Sequence, residues 1–215
     1  MPAVNRRLMG RVLSHLATLY DIDKFRRTHR SPFRILVGCV ISLRTKDEVT
    51  YAATARLFGR VSTPEEMSRL RESTIAGLIY PAGFYQRKAK QIRAISRILA
   101  RECAGKVPSE IDELLELPGV GRKTANLVVT LAFGKPGICV DVHVHRICNR
   151  LGWVETRHPD ETEQVLREIL PRRYWIPINE TLVRHGQQVC KPVSPLCSGC
   201  PVTRDCPRLE VGRSR

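Results

Sequence analysis

Four cysteines in the last quarter of the chain constrain its fold more than any other feature. Cys190, Cys197, Cys200 and Cys206 follow the spacing C-x6-C-x2-C-x5-C. Structural zinc sites more often have two close ligand pairs, whereas four thiolates with one long and one medium loop suit a [4Fe–4S] cluster. The spacing predicts a metal centre that stabilises this segment. The spacing favours an iron–sulfur cluster over a zinc ion but does not exclude zinc.

The composition indicates a polyanionic partner. The chain has 215 residues and a net charge of +15, and such a basic surface attracts nucleic acid; a generally basic protein is the alternative. The sequence has no run of 18 apolar residues and no apolar leader in residues 1–7, so we expect a prokaryotic, cytoplasmic protein that does not enter a membrane. Disulfides are then unexpected. The remaining cysteines are predicted to be buried thiols: Cys39, Cys103, Cys139 and Cys148.

Apolar residues recur at helical spacing along most of the chain, and period-2 alternation is almost absent, which predicts an all-α protein. Ser31-Pro32 is a typical helix start before the apolar run 35–41. That run suits a buried strand or a central helix, and the cap favours the helix. Thr63 to Glu66 has the sequence of a capping box. Further helices are predicted over 86–103, 111–116, 122–133, 160–170 and from 179 to 190, and one between Asp141 and Gly152.

A glycine turn, Leu117-Pro118-Gly119-Val120-Gly121, separates two of these helices and predicts a helix-hairpin-helix. Its glycines permit positive φ and allow backbone N–H groups to approach a phosphate. The helix that begins at Arg122 adds its dipole and its N-terminal amides. The prediction is a contact with the DNA backbone that reads no sequence. An ordinary tight turn is the alternative. The predicted contact residues are Leu117, Gly119, Val120, Gly121 and Arg122.

Lys123 follows Arg122 in the first turn of the predicted helix. Cations are disfavoured there, and the adjacent guanidinium adds to the effect, so the nucleophilic amine is favoured. Such an amine can attack C1′ of a damaged nucleoside, expel the base and leave a Schiff base, after which β-elimination cuts the strand. A lysine that only binds phosphate is the alternative.

Asp141 lies within the segment 140–146 and has two compatible interpretations. It is a good N-cap, and a carboxylate that faces the sugar could stabilise oxocarbenium character or assist deprotonation of the lysine. His143 is a candidate phosphate contact or a packing residue. Lys191 lies in a stiff loop with two prolines and is a further candidate DNA contact.

Taken together, the motifs resemble endonuclease III, the iron–sulfur DNA glycosylase/AP lyase of the helix-hairpin-helix superfamily. The resemblance rests on residues 117–126, on the segment 140–146 and on the cysteine spacing, and it covers nearly the whole chain. It implies two helical domains that flank a DNA cleft: a six-helix barrel with the hairpin over 25–135, and an iron–sulfur cluster domain over 1–24 and 136–215. It also implies Lys123 as the Schiff-base nucleophile, Asp141 as its partner and a [4Fe–4S] cluster on the four cysteines.

The resemblance extends to two loops that act on a flipped nucleotide. Phe84, in residues 83–89, occupies the wedge position, and a core aromatic is the alternative. Arg44, in residues 42–47, stands where the family commonly has glutamine in the loop that fills the gap. Arginine has no acceptor and a permanent charge. It could therefore select guanine opposite the lesion or hold a phosphate.

The sequence thus predicts a monomeric bifunctional glycosylase/AP lyase that acts on oxidised pyrimidines in duplex DNA. The alternatives are a mismatch or monofunctional glycosylase of the same superfamily and a non-catalytic, cluster-bearing DNA-binding protein. Lys123 argues against the first alternative, because members without a lysine there generally lack the lyase step. The second would keep its activity after replacement of Lys123.

Overall fold

The computed structural model describes residues 5–22 and 31–215. The chain divides into two compact units. We call His29–Lys135 the inserted unit, and Met1–Thr28 with Pro136–Arg215 the terminal unit. Every regular element in the described residues is helical, which confirms the all-α prediction. None of the helices described is long and apolar enough to cross a membrane.

Eleven α-helices follow one another along the described chain. They are α1 (Arg6–Leu19), α2 (Pro32–Ser42), α3 (Asp47–Arg60), α4 (Pro64–Arg69), α5 (Glu72–Ile79), α6 (Tyr85–Glu102), α7 (Ile111–Leu115), α8 (Arg122–Phe133), α9 (Val142–Arg150), α10 (Pro159–Ile169) and α11 (Pro177–Gln188). The inserted unit holds α2 to α8, and the terminal unit holds α1 and α9 to α11.

Helix α2 lies at the centre of the inserted unit. The Ser31 hydroxyl accepts a hydrogen bond from Arg34 N at 3.1 Å, and Pro32 occupies the first turn, so the cap predicted from sequence forms. The apolar run is therefore a helix rather than a strand. It is buried on most sides because α3, α6 and α8 pack against it. The predicted capping box at Thr63 and Glu66 is also confirmed.

The core of the terminal unit forms where α1 packs against α11 and where α9 packs against α10 and α11. The buried stripe of α1 consists of Met9, Val12, Leu13 and Leu16. This spacing of i, i+3, i+4 and i+7 follows one helical face. Leu19, three residues after Leu16, is 55% exposed at the end of the helix.

Candidate DNA interface and metal centre

The glycine turn joins α7 to α8 as the sequence predicts. Gly119 has φ +79°, and a Cβ at this position would overlap the Gln91 side chain, so only glycine fits without strain. Gly121 has an ordinary φ of −99° and is exposed at the N-cap of α8. Positive φ is thus required at one of the two glycines, while the other leaves the start of α8 uncovered by a side chain.

The apolar residues of the turn anchor it to the core. Leu117 and Val120 are buried, and Val120 N donates to Leu117 O at 3.1 Å. Their side chains therefore face the interior of the inserted unit. A phosphate at this turn would meet the backbone and not these two side chains, which suits a contact that reads no sequence.

Lys123 is exposed in the first turn of α8. Beneath it, Asn126 is buried and donates from Nδ2 to Arg122 O at 3.1 Å, which steadies this turn. Burial raises the pKa of the Cys39 thiol of α2 to about 12, and the Lys123 ammonium acts in the opposite direction. The lysine therefore lies near α2 while its side chain stays accessible to a large substrate.

Asp141 occupies the N-cap of α9, as its sequence context predicts. One carboxylate oxygen accepts hydrogen bonds from His143 N at 2.9 Å and Val144 N at 3.0 Å. The residue is half-buried, and the adjacent Val142 is exposed. Capping by one oxygen fixes the carboxylate at the start of the helix.

His143 takes part in packing within the terminal unit. Its Nδ1 lies 3.1 Å from Arg146 Nη2, and the ring covers Gly186 of α11 so closely that a Cβ there would overlap it. Lys191 is half-buried at the start of the loop after α11, and Val193 in that loop is 82% exposed. Packing thus accounts for the position of His143, whereas the Lys191 loop presents surface.

Arg44 and Phe84 form a stacked pair on the surface of the inserted unit. The guanidinium carbon lies 5.6 Å from the centroid of the phenyl ring, within the range of a cation–π contact. Both residues have positive φ, 51° and 57°. Phe84 is 60% exposed, so it is not a core aromatic.

The four cysteines of the C-terminal motif line one cavity in the terminal unit, together with apolar residues such as Ile147 and Leu151. Burial raises the pKa of the Cys200 thiol, and the other three cysteines of the motif raise it further. A cation at this place would offset both effects, because a metal-bound thiol is held as the thiolate. No three His, Cys, Asp or Glu residues within 5–22 and 31–215 are arranged to hold a single metal ion.

Arg150 of α9 ties the loop after α11 to this cavity. It is only 6% exposed, and it donates to Lys191 O at 2.7 Å and to Pro192 O at 2.8 Å. Its Nη1 also lies 3.4 Å from Cys190 Sγ. A buried guanidinium with these partners orients the loop and places positive charge beside the Cys190 sulfur.

His185 of α11 lies on another side of the cavity. Its Nε2 is 3.7 Å from Cys200 Sγ, and its Nδ1 is 2.9 Å from the Tyr20 hydroxyl. Burial, with the Arg146 guanidinium, lowers the pKa of His185 to about 4. The imidazole is therefore neutral at neutral pH.

Comparison with known proteins identifies the family. Residues 37–172 match the family described as "HhH-GPD superfamily base excision DNA repair protein". The chain belongs to this family. Endonuclease III of Thermotoga maritima is 47% identical over 187 residues, which are 86% of this chain and 88% of that protein. The resemblance to endonuclease III is thereby confirmed.

Two solved structures are similar to this member of the HhH-GPD superfamily. They are described as a non-covalent endonuclease III–DNA complex and as a trapped endonuclease III–DNA covalent intermediate with an estranged adenine. Each has a TM-score of 0.86 and 34% identity, and the match covers 95% of this chain and 96% of the solved chain.

The HhH-GPD match includes the hairpin, Lys123 and Asp141 and ends before the four cysteines. Sequence reasoning did not find Arg150, His185 or Lys88, although each is buried and charged or titratable. Lys88 offered a signal, since it lies on the apolar stripe of α6 with Ile92, Ile95 and Leu99. Arg150 and His185 offered none, because their partners are remote in sequence.

Proposed function

We propose that this protein removes oxidised pyrimidines from duplex DNA and then cleaves the abasic strand. The observation that carries the proposal is the exposed Lys123 at the start of α8, directly after the glycine turn. A backbone turn that can hold a phosphate lies next to an amine that can attack the sugar. The inserted unit would correspond to the six-helix barrel with the hairpin, and the terminal unit to the iron–sulfur cluster domain. The protein would act as a monomer, because one lesion needs only one active site.

The charge of the chain supports the DNA partner. A net charge of +15 favours binding to the phosphate backbone, and the turn presents Gly121 and Arg122 together. One of the similar solved structures is described as a covalent endonuclease III–DNA intermediate, which suits a lysine nucleophile. Arg44 and Phe84 would contact the bases around the flipped nucleotide.

In the proposed reaction, Lys123 Nζ bonds to C1′ while the C1′–N bond breaks. The base leaves with that electron pair and takes up a proton released by the amine. The nitrogen lone pair then forms the C1′=N bond while the C1′–O4′ bond breaks and O4′ takes up a proton, which opens the sugar ring and leaves a protonated imine between Nζ and C1′. Loss of a C2′ proton breaks the C3′–O bond, and the 3′ phosphate departs. Water hydrolyses the imine and restores the amine.

Asp141 would supply negative charge to this reaction. A carboxylate near the sugar stabilises positive charge that develops at C1′, and it can accept a proton from the lysine. The capping bonds to His143 N and Val144 N use one of its oxygens. The group is thus oriented before the substrate arrives.

The cysteine motif suits a [4Fe–4S] cluster better than zinc. Structural zinc sites more often have two close ligand pairs, whereas this motif has only one C-x2-C pair. A cubane binds one cysteine at each iron and spaces the thiolates more widely. Cys190, Cys197, Cys200 and Cys206 would hold it, and the bound cluster would link the loop after α11 to the core of the terminal unit.

Borohydride trapping tests the proposal directly. We expect a covalent adduct on a duplex with one thymine glycol and on a duplex with one abasic site. An adduct with the abasic duplex alone would retain the lyase and reassign the base specificity. Tight binding without an adduct on either duplex would contradict the bifunctional reaction and favour a monofunctional glycosylase or a binding protein.

The glycine turn makes a separable prediction about DNA binding. Gly121→Ala should leave the melting temperature nearly unchanged, because a Cβ there has no atom of a described residue within 4 Å. Its methyl group should weaken DNA binding about tenfold by keeping a phosphate away from the backbone. Gly119→Ala should instead destabilise the fold by about 1–2 kcal/mol, the cost of positive φ.

Thermal melts and titrations of a labelled duplex measure both effects. Gly77→Ala is the matched control, since Gly77 is exposed in α5 and its Cβ also has no described neighbour within 4 Å. Unchanged DNA affinity in Gly121→Ala would mean that the turn only joins two helices.

Two substitutions separate the capping role of Asp141 from its chemical role. Asp141→Asn should keep the melting temperature, because asparagine caps as well as aspartate, and should lower single-turnover base removal about 100-fold. Asp141→Ala should show the same loss of rate together with a destabilisation of about 1 kcal/mol. Full activity in Asp141→Asn would leave the residue as a cap alone.

A further inference from the structure

Lys88 is a buried lysine between two surface segments of the inserted unit. It is 3% exposed. Its Nζ donates to Ile41 O at 2.7 Å, to Thr45 Oγ1 at 2.8 Å and to Leu43 O. An ammonium has three N–H donors and no acceptor. The three oxygens therefore match the protonated lysine in number and in kind.

Burying a charged lysine at this position is unfavourable in free energy, and the three hydrogen bonds offset that penalty. Lys88 lies near the N-terminus of α6, where the helix dipole disfavours a cation, and burial lowers its pKa to about 8. Ile41 is in the last turn of α2 and Leu43 is its C-cap. Carbonyls at a helix end lack helical partners and carry partial negative charge. The lysine therefore joins the start of α6 to the end of α2.

The two segments that meet at Lys88 carry the stacked pair. Gly83 N donates to Thr45 Oγ1 at 3.1 Å, so the same hydroxyl contacts both the lysine and the turn before α6. A Cβ on Gly83 would overlap Arg44 O. Arg44 and Phe84 both have left-handed backbone conformations, which persist only where the surroundings hold them.

We propose that Lys88 is a positioning residue that fastens residues 42–46 to residues 80–85, so that Arg44 and Phe84 meet DNA as one preassembled pair. The role rests on the proposed function, since both side chains must enter a duplex beside a flipped nucleotide. Unstacking a base step costs a few kcal/mol. A pair of side chains that is already ordered in the free protein loses less conformational entropy when it binds DNA.

Lys88→Met tests the role, with Lys90→Met as the matched control. Both variants lose one lysine of α6, but Lys90 is exposed. Hydrogen exchange of the DNA-free protein should rise in residues 42–46 and 80–85 together in Lys88→Met only. Single-turnover removal of thymine glycol should fall about tenfold, and trapping on an abasic duplex less than about threefold, because a nucleotide without a base needs little unstacking.

Thr45 provides a second test that retains the lysine. Thr45→Val removes the shared hydroxyl and should show the same pattern, whereas Thr45→Ser should restore wild-type exchange and rate.

Unchanged exchange, exchange that rises in one segment alone, or an unchanged rate in Lys88→Met would overturn the proposal, as would equal losses in Lys90→Met. If Lys88→Met does not fold, the Thr45 pair decides. A wild-type protein without base removal or trapping would refute the proposed function, while exchange would still show whether Lys88 joins the segments.

Discussion

Lys123→Gln is expected to abolish covalent capture on abasic DNA by borohydride and to lower base removal on the order of 10³-fold or more. The glutamine amide cannot form an imine, so the step that joins protein to C1′ is lost. Its size and its N–H donors allow a phosphate contact, and the hydrogen bond from Asn126 Nδ2 to Arg122 O at the start of α8 is unchanged by the substitution. DNA affinity should therefore change only a few-fold.

Trapping and equilibrium binding on the same abasic duplex separate chemistry from affinity. Lys106→Gln is the control, because Lys106 is an exposed lysine of the inserted unit and its replacement changes the charge equally. It should trap like the wild type. If trapping survives in Lys123→Gln, another amine is the nucleophile. If trapping and affinity fall in parallel, Lys123 is only a phosphate-binding lysine.

Cys200→Ser is expected to remove the visible absorption and bound iron of the purified protein and to lower its melting temperature by about 10 °C. The segment from Cys190 to Cys206 has little apolar surface of its own, with Val202 and Pro195 among its few buried residues. Under the proposed cluster assignment, its position would depend on coordination by the four cysteines as well as on the Arg150 bonds to Lys191 and Pro192. Without one thiolate the cluster is lost, and the loop after α11 should detach from the core.

Cys103→Ser is the control for this prediction, since Cys103 is a half-buried thiol at the end of α6, outside the cavity. It should keep the wild-type iron content and melting temperature. Stoichiometric zinc without iron in the wild type would contradict the cluster assignment. Full iron content in Cys200→Ser would exclude that residue as a ligand.

Several of the predicted helices have ends that are encoded in neighbouring residues. Helix α4 begins at a capping box, and α8 lies between Gly121 and Gly134, so their limits follow from local chemistry. Helices α3 and α5 were not predicted. They begin after Lys46 and Arg71, which make no capping bond, and α3 buries little more than Thr50, Ala53 and Leu57. Packing against their neighbours, not a local signal, stabilises them.

The residues of the candidate site also divide into those that local sequence identified and those that packing brought together. The residues of the hairpin, Lys123, the Asp141 cap and the four cysteines each lie in a short segment of the chain, so local patterns in the sequence by itself identified them. Tertiary structure alone decided that Lys88 meets Thr45, 43 positions away, and that Arg150 meets Lys191, 41 positions away. A buried charge takes whichever acceptors the packed helices bring to it, and no local pattern specifies them.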